Sequence, residues 1–97
     1  MDVYVTDLDD DQGEFVFIVE IKATDWDRIK PKNIRRNLSS HRRQLWRYAE
    51  DPHIEQGVDV GLGIVYPRKP KRRGLVREIE SYMEEYGIVV TWFDDEV

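Results

Sequence analysis

The sequence predicts an α/β domain in which helices flank a small mixed β-sheet, with the elements in the order β-β-α-β-α-β. Two β-prone runs joined by turn-forming residues predict a hairpin near the amino terminus. Two later segments have apolar residues at helical spacing, and a β-prone run follows each of them. The final β-α-β stretch predicts a right-handed crossover between parallel strands. The 97 residues are enough for a single domain, 1–97.

The hairpin is predicted from two β-prone runs, Val3–Val5 and Phe15–Ile21, with an Asp-rich turn between them. If the hairpin closes with a five-residue loop, Asp9–Gly13, the strand register places Asp2 directly opposite Glu20. Two carboxylates at opposite positions repel each other and destabilise a sheet unless a cation lies between them. We therefore expect a cation at this end of the hairpin.

The first helix is predicted at Ile34–Glu50, because its apolar residues recur every three or four positions. Asn33 is the expected N-cap, and a connector containing Pro31 precedes it. The helix is expected to end before Asp51-Pro52, since the residue before a proline disfavours helical dihedrals.

The second half of the chain predicts a strand, a helix and a last strand. Val58–Tyr66 reads as a strand, and its two glycines would let another group approach the backbone. The second helix runs from Leu75 to Tyr86 and is closed by Gly87 at the C′ position. Ile88–Phe93 completes the sheet.

Composition excludes several classes of protein. The chain has no cysteine, which removes disulfide scaffolds, thiolate zinc sites and cysteine nucleophiles. The longest mainly apolar run, Phe15–Ile21, is too short to span a bilayer, and the acidic amino terminus is unlike a signal peptide. We therefore expect a cytoplasmic protein with no membrane partner.

The formal net charge of −5 conceals an uneven distribution of charge. Residues 1–27 sum to −8, whereas residues 28–47 sum to +8 and residues 67–77 to +6. Two unopposed basic blocks are typical of a phosphate-binding face. The alternative is that they form solvated helix faces balanced by acidic neighbours.

The end of the second strand carries the most informative pair of charges. Glu20 and Lys22 are two residues apart, so in a strand they point to the same face. Together with Asp2, Glu20 would supply the oxygen ligands that Mg²⁺ or Mn²⁺ prefers. The alternative is a weak surface salt bridge at the point where the strand reaches solvent.

These residues resemble the PD-(D/E)xK, or restriction-endonuclease-like, nuclease superfamily. The match consists of Asp2, the hairpin turn and Glu20-Ile21-Lys22. On the following helix, Gln44-x-x-x-Tyr48 is similar to the QxxxY motif of RecB-like members. Two features depart from the family pattern: Met1 precedes Asp2 where a proline is usual, and the usual first helix and strand of the core are lacking.

The resemblance implies Mg²⁺- or Mn²⁺-dependent hydrolysis of DNA phosphodiester bonds by an endonuclease or exonuclease. It assigns catalytic roles to Asp2, Glu20, Lys22, Gln44 and Tyr48. Asp2, Glu20 and the main-chain carbonyl of Ile21 would hold the metal, and Lys22 would orient water or stabilise the transition state. Gln44 would position the substrate or the water around the metal, and Tyr48 would brace the site.

The basic blocks then become the expected contacts with the nucleic-acid backbone. The residues concerned are Arg35, Arg36, Arg42, Arg43, Arg47, Lys69, Lys71, Arg72 and Arg73. RNA cleavage by a toxin-type nuclease is one alternative, and an inactive module that binds nucleic acid or a protein is another. Without the first helix, a sheet edge and part of the core would lie open, which favours a homodimer or a larger parent assembly.

Overall fold

The fold is described from a computed structural model for residues 2–10, 13–50 and 59–96, with the side chains of 15–50 and 59–94. Four strands form one sheet, and two helices pack on it. The elements are β1 (Asp2–Asp10), β2 (Gly13–Ile21), α1 (Pro31–Ala49), β3 (Asp59–Tyr66), α2 (Leu75–Glu85) and β4 (Ile88–Trp92). The spatial order is β1-β2-β3-β4, with β1 antiparallel to β2 and the other pairs parallel. The predicted α/β class, with a small sheet and two helices, is confirmed.

The register of the hairpin differs from the predicted one by one residue. The ladder continues to a pair between Asp10 and Gly13, so the connection has two residues instead of five. An even loop length pairs Asp2 with Ile21 and Val3 with Glu20. Because the side-chain period of a strand is two, this shift moves the whole first strand to the alternate faces. The prediction that Asp2 lies opposite Glu20 is therefore wrong.

Helix α1 begins earlier than its apolar pattern predicts. Its N-cap is Lys30 and its first residue is Pro31, so the expected N-cap at Asn33 is wrong. Proline is favoured at the first helical position, because its fixed φ suits the helix and its missing N–H would have had no partner there. A 3₁₀ helix, Trp26–Arg28, precedes it and begins at the cap residue Asp25, whose carboxylate accepts a hydrogen bond from the Asp27 N–H.

Both helices lie on the same face of the sheet. Alternate strand residues are buried on that face, and they meet the apolar stripes of α1 and α2 in a single core. The strand residues are Val16, Ile18, Glu20, Leu62, Ile64, Tyr66, Ile88 and Trp92, and the helix residues include Ile34, Leu38, Leu45, Ile79 and Met83. This one-sided packing is expected for two consecutive crossovers that run in the same direction along the sheet, because connections between parallel strands are nearly always right-handed.

Two glycines of β3 make room for aromatic rings of β2. A Cβ atom on Gly61 would lie 2.5 Å from the Phe17 ring, and one on Gly63 would lie 3.0 Å from it. The close approach predicted from these glycines is therefore made by Phe17. At the end of α2, Gly87 has a φ of 73°, which agrees with its expected role at C′.

The loop between β3 and α2 is fastened to the 3₁₀ helix by reciprocal hydrogen bonds. The Asp27 carboxylate accepts from the backbone N–H groups of Lys71, at 2.9 Å, and of Arg72, at 3.3 Å. In return, the Arg72 guanidinium donates to the carbonyls of Asp27, at 2.6 Å, and of Ile29, at 2.5 Å. Arg72 therefore stabilises the loop from its half-buried position.

We predict that Arg72→Ala lowers the free energy of unfolding by about 2 kcal/mol, because two carbonyls lose a charged donor. Urea denaturation followed by circular dichroism measures this loss. Arg73→Ala is the matched control: its side chain is exposed, and we expect a change within about 0.5 kcal/mol. Equal losses for the two variants would contradict the fastening role of Arg72.

Candidate functional site

The candidate site is centred on Glu20, a fully buried carboxylate on the helix-facing side of β2. Its exposed fraction is 0%. Neither carboxylate oxygen accepts a hydrogen bond from the described residues. The Lys22 Nζ atom lies 3.2 Å from Oε1, but the angles of this contact are not those of a hydrogen bond. A buried charge without partners is costly, so the ion pair with Lys22 offsets the cost of burying the Glu20 carboxylate.

Lys22 connects the end of β2 to helix α1. Its backbone N–H donates to the Val65 carbonyl at 2.9 Å, which continues the sheet one residue past β2. Its side chain therefore stays on the face of Glu20, with only 12% exposed. The Nζ atom donates to the Gln44 Oε1 atom at 2.5 Å. The structure thus brings together three residues that the sequence predicts to act together: Glu20, Lys22 and Gln44.

The other predicted residue of the helix, Tyr48, lies one turn beyond Gln44. It is 37% exposed, so it is on the surface flank of α1 and not in the core. One turn before Gln44, His41 is 7% exposed and faces the sheet. The polar flank of α1 therefore runs from the buried His41 through Gln44 to the partly exposed Tyr48.

A buried cluster of His41, Tyr66 and Trp26 borders the site. The His41 Nδ1 atom and the Tyr66 hydroxyl form a hydrogen bond of 2.8 Å. The Trp26 ring meets both of them edge-on, with ring centroids 5.6 Å and 5.2 Å away. The Trp26 Nε1 atom has no hydrogen-bond partner among the described residues. The cluster forms a low-dielectric wall beside the charged residues.

Burial and the charges of the site shift the pKa values of His41 and Tyr66. Burial, with a contribution from the positive charge of Lys22, lowers the pKa of His41 to about 4. Burial and the negative charge of Glu20 raise the pKa of the Tyr66 hydroxyl well above its usual value. At neutral pH the imidazole is therefore uncharged and the hydroxyl keeps its proton.

Tyr66 belongs to no motif that would single it out in the sequence. The only signal is a tyrosine that ends an apolar strand, β3, beside the strand that carries Glu20. Its partnership with His41 depends on the packing of α1 over the sheet. For that reason the connection could not be read from residue spacing.

Asp2 does not share the register position of Glu20. In the antiparallel ladder Asp2 is paired with Ile21, so the two acidic positions alternate between the faces of the sheet. The described residues also contain no group of three His, Cys, Asp or Glu residues placed to hold a metal. The ligands predicted from the sequence are two carboxylates and one main-chain carbonyl. That set has fewer than three such side chains, so the absence of a three-residue group does not test it.

The predicted phosphate-binding arginines of α1 fall into two sets. Arg42 and Arg35 face α2: the Arg42 Nε atom donates to the Tyr82 hydroxyl at 3.1 Å, and its guanidinium lies 4.3 Å from the Tyr86 ring centroid. Arg35 lies 3.7 Å from a Glu78 oxygen and over the Tyr82 ring. These two arginines bridge the helices, so their side chains are already engaged.

The second set is Arg36, Arg43 and Arg47, all of them exposed. Their spacing puts them within about 40° of one another around the helix axis, on the side opposite the buried Leu45 and roughly 60–100° from Gln44. The Arg43 Nε atom donates to the Ser39 carbonyl at 3.3 Å. We call these three residues the arginine stripe.

The basic residues of the loop after β3 also fall into two sets. Arg72 is held by backbone carbonyls, and the backbone N–H groups of Lys69 and Lys71 are bonded to Asp94 and Asp27. The side chains of Lys71 and Arg73 extend from an exposed part of the loop. Of the predicted loop contacts, Arg72 is the one whose guanidinium is committed to the fold.

Comparisons of the chain with protein-family models, with curated proteins and with solved structures find no match. Neither of the described helices, α1 and α2, has the length and apolar content needed to cross a membrane.

We predict that the stability of the protein falls as the pH drops from about 6.5 to about 4, through the titration of His41. The folded imidazole has the lower pKa, so the unfolded chain binds the proton first. The loss amounts to up to about 3 kcal/mol and is complete below the folded pKa. Urea denaturation of wild type and His41→Gln across this pH range measures it as a difference in slope.

Nuclear magnetic resonance gives an independent test of this assignment. The chain has two histidines, so His53→Gln leaves a single imidazole signal to follow. We expect that signal to titrate near pH 4. A midpoint near the ordinary histidine value would show that His41 does not have the lowered pKa.

Proposed function

We propose that the protein is a metal-dependent nuclease with a restriction-endonuclease-like core that hydrolyses DNA phosphodiester bonds. The observation that carries this proposal is the Glu20–Lys22–Gln44 cluster. A carboxylate at 0% exposure lies 3.2 Å from an ammonium, and a glutamine of the next helix holds that ammonium. The cluster joins the two motifs on which the family resemblance depends.

The donor atoms at the site fit a hard divalent cation. Both Glu20 oxygens lack hydrogen bonds from the described residues, so their lone pairs are available to a metal. Glu20 and the main-chain carbonyl of Ile21 would hold Mg²⁺ or Mn²⁺. Asp2 is not part of this proposed set, because its register position falls on the other face of the sheet. A bound cation of this kind would lower the pKa of a coordinated water and neutralise charge on the phosphate.

The remaining site residues act on the substrate and on water. Lys22 is a compact positive charge held at a fixed place, where it can stabilise negative charge that develops on the phosphate. Gln44 keeps the Lys22 side chain from rotating away, so it is a positioning residue. Tyr48, on the partly exposed flank of α1, braces the site or contacts a phosphate oxygen.

The arginine stripe is the proposed track for the DNA backbone. Arg36, Arg43 and Arg47 are exposed on the outer side of the helix that carries Gln44, and guanidinium groups match the geometry of phosphate oxygens. Arg73 and the lysines of the loop after β3, Lys69 and Lys71, would extend this contact. None of these residues forms a pattern that reads base edges, so we propose binding without sequence specificity.

One observation favours a second candidate function, a nucleic-acid-binding module without catalysis. Glu20 is fully buried, and its ion-pair partner Lys22 is only 12% exposed. An ion pair buried in this way could be purely structural. RNA is the alternative substrate, since contacts to the phosphate backbone do not by themselves distinguish it from DNA.

We predict that Glu20→Gln and Lys22→Met each reduce the rate of Mg²⁺-dependent cleavage by roughly 100-fold or more, as expected for loss of preorganised charge at a reacting phosphate. The assay uses labelled single-stranded, double-stranded and branched DNA, and RNA, with Mg²⁺ or EDTA. Glu84→Gln, on the exposed surface of α2, is the matched control and should retain the wild-type rate.

The double variant Glu20→Gln with Lys22→Met separates chemistry from folding. Removing one partner of a buried pair costs about 3–5 kcal/mol, whereas removing both restores stability. We expect the double variant to be stable and inactive. Cleavage that survives in it, or that EDTA does not affect, would contradict the proposed chemistry. Salt-sensitive binding with no cleavage of any substrate would favour the binding module.

We predict that replacing the whole arginine stripe with alanine weakens DNA binding. The slope of the logarithm of the binding constant against the logarithm of the salt concentration should decrease by the amount expected for the loss of about three phosphate contacts. Fluorescence anisotropy at several salt concentrations measures that slope. Arg35→Ala with Arg42→Ala is the comparison: these residues face α2, so we expect lower stability with an unchanged slope. The reverse pattern would move the DNA contact to the other flank of α1.

A further inference from the structure

The two helices cover one face of the sheet, and the opposite face carries a continuous apolar surface. Its β2 residues are Phe15, Phe17, Val19 and Ile21, which alternate with the buried residues of the core. None of these four is fully buried, and Ile21 is 38% exposed. Among the described residues, no helix packs on this side. We call this surface the open face.

The neighbouring strands extend the open face without adding charge at its centre. Val65 of β3 is half-buried, and Val89 of β4 is 60% exposed. Between them, the Phe17 ring lies over Gly61 and Gly63, which makes the middle of the surface aromatic and low in relief. The β1 positions paired with Phe15, Phe17 and Val19 are Leu8, Thr6 and Tyr4.

Charge on the open face is confined to its margin. Along β2, β3 and β4 the one charged residue at these alternate positions is Asp59, the first residue of β3. The register of β1 adds two acidic positions, Asp2 and Asp10, at the two ends of that edge strand. This is unusual in a chain in which 36% of the residues are charged. An apolar centre with charge only at the rim is the composition of a protein interface.

We propose that the open face is the interface of a homodimer, in which a second copy of this chain packs on it sheet against sheet. A two-fold interface requires a surface complementary to itself, and a flat uncharged surface meets that condition. Among the residues whose side chains are described, the centre of this surface has no cationic or anionic group that would select a lipid headgroup or a charged peptide.

The size of the open face sets the expected strength of the dimer. Seven residues of β2 span about 23 Å, and four strands span about 19 Å, which gives a footprint of roughly 440 Å² per copy. Side chains that stand out from the sheet raise the accessible area, so the buried total is near the lower limit of about 1,200 Å² for specific interfaces. We therefore expect a dissociation constant in the micromolar range.

Sedimentation velocity from about 1 µM to about 1 mM tests the dimer, because the lower limit lies below the expected dissociation constant and the upper limit far above it. We expect the mass to rise from the monomer value of 11.6 kDa toward twice that value. Val89→Lys puts a charge on the open face at an exposed edge position and should raise the dissociation constant about tenfold or more. Ser81→Lys adds the same charge on the exposed surface of α2 and should leave dimerisation unchanged. A monomer at the highest concentration, or equal effects of the two variants, would overturn the proposal.

The absence of cysteine gives a second measurement that does not depend on the charged variant folding. A nitroxide label attached to Val89→Cys should become immobilised as the concentration rises and regain its mobility on dilution. The same label on Ser81→Cys should remain mobile throughout. Immobilisation at position 81, or none at position 89, would show that copies of the chain do not meet at the open face.

Discussion

The contact between Glu20 and Lys22 is the constraint on which the site and much of the helical layer depend. A carboxylate at 0% exposure must have a cationic partner, because its desolvation would otherwise cost several kcal/mol. The partner comes from the same strand face: the backbone N–H of Lys22 continues the sheet one residue past β2, which keeps its side chain beside Glu20. Gln44 then fixes the Lys22 ammonium, and this hydrogen bond ties α1 to the end of β2. The buried charge thus links strand, helix and site.

The division of the arginines gives physical meaning to the charge blocks. A block of like charges on one helix cannot be wholly devoted to a ligand when a second helix packs beside it. The tyrosines of α2 take up Arg35 and Arg42 through hydrogen bonds and ring contacts, and the loop after β3 uses Arg72 to hold backbone carbonyls. What remains on α1 for the proposed contact with phosphate is the arginine stripe, a smaller set than the net charge of the block indicates.

Helices and strands whose apolar residues recur regularly could be predicted from the sequence. Positions that depend on whether a loop is one residue longer or shorter could not. The helical stripe through Ile34, Leu38 and Leu45 places α1 in the core, and the alternation of β2 places Glu20 and Lys22 together. The predicted position of Asp2 was wrong because hairpins with an odd or an even number of loop residues have the same apolar pattern in β2 and differ only in the pairing register. The start of α1 failed because Pro31 suits the first helical turn as well as a connector.

The alternation of β2 also determines how the open face and the site relate to each other. Glu20 points into the helical layer, whereas Phe17 and Val19 belong to the opposite side, so one strand contributes to both surfaces. In the proposed dimer the two sheets would pack face to face about 10 Å apart. Both helical layers would then be directed outward. Each copy would then keep its own Glu20–Lys22–Gln44 cluster on the helix-covered side of its sheet, away from the interface. Because the sheets separate the two clusters, association and chemistry could be altered independently by substitutions on opposite faces of the same strand.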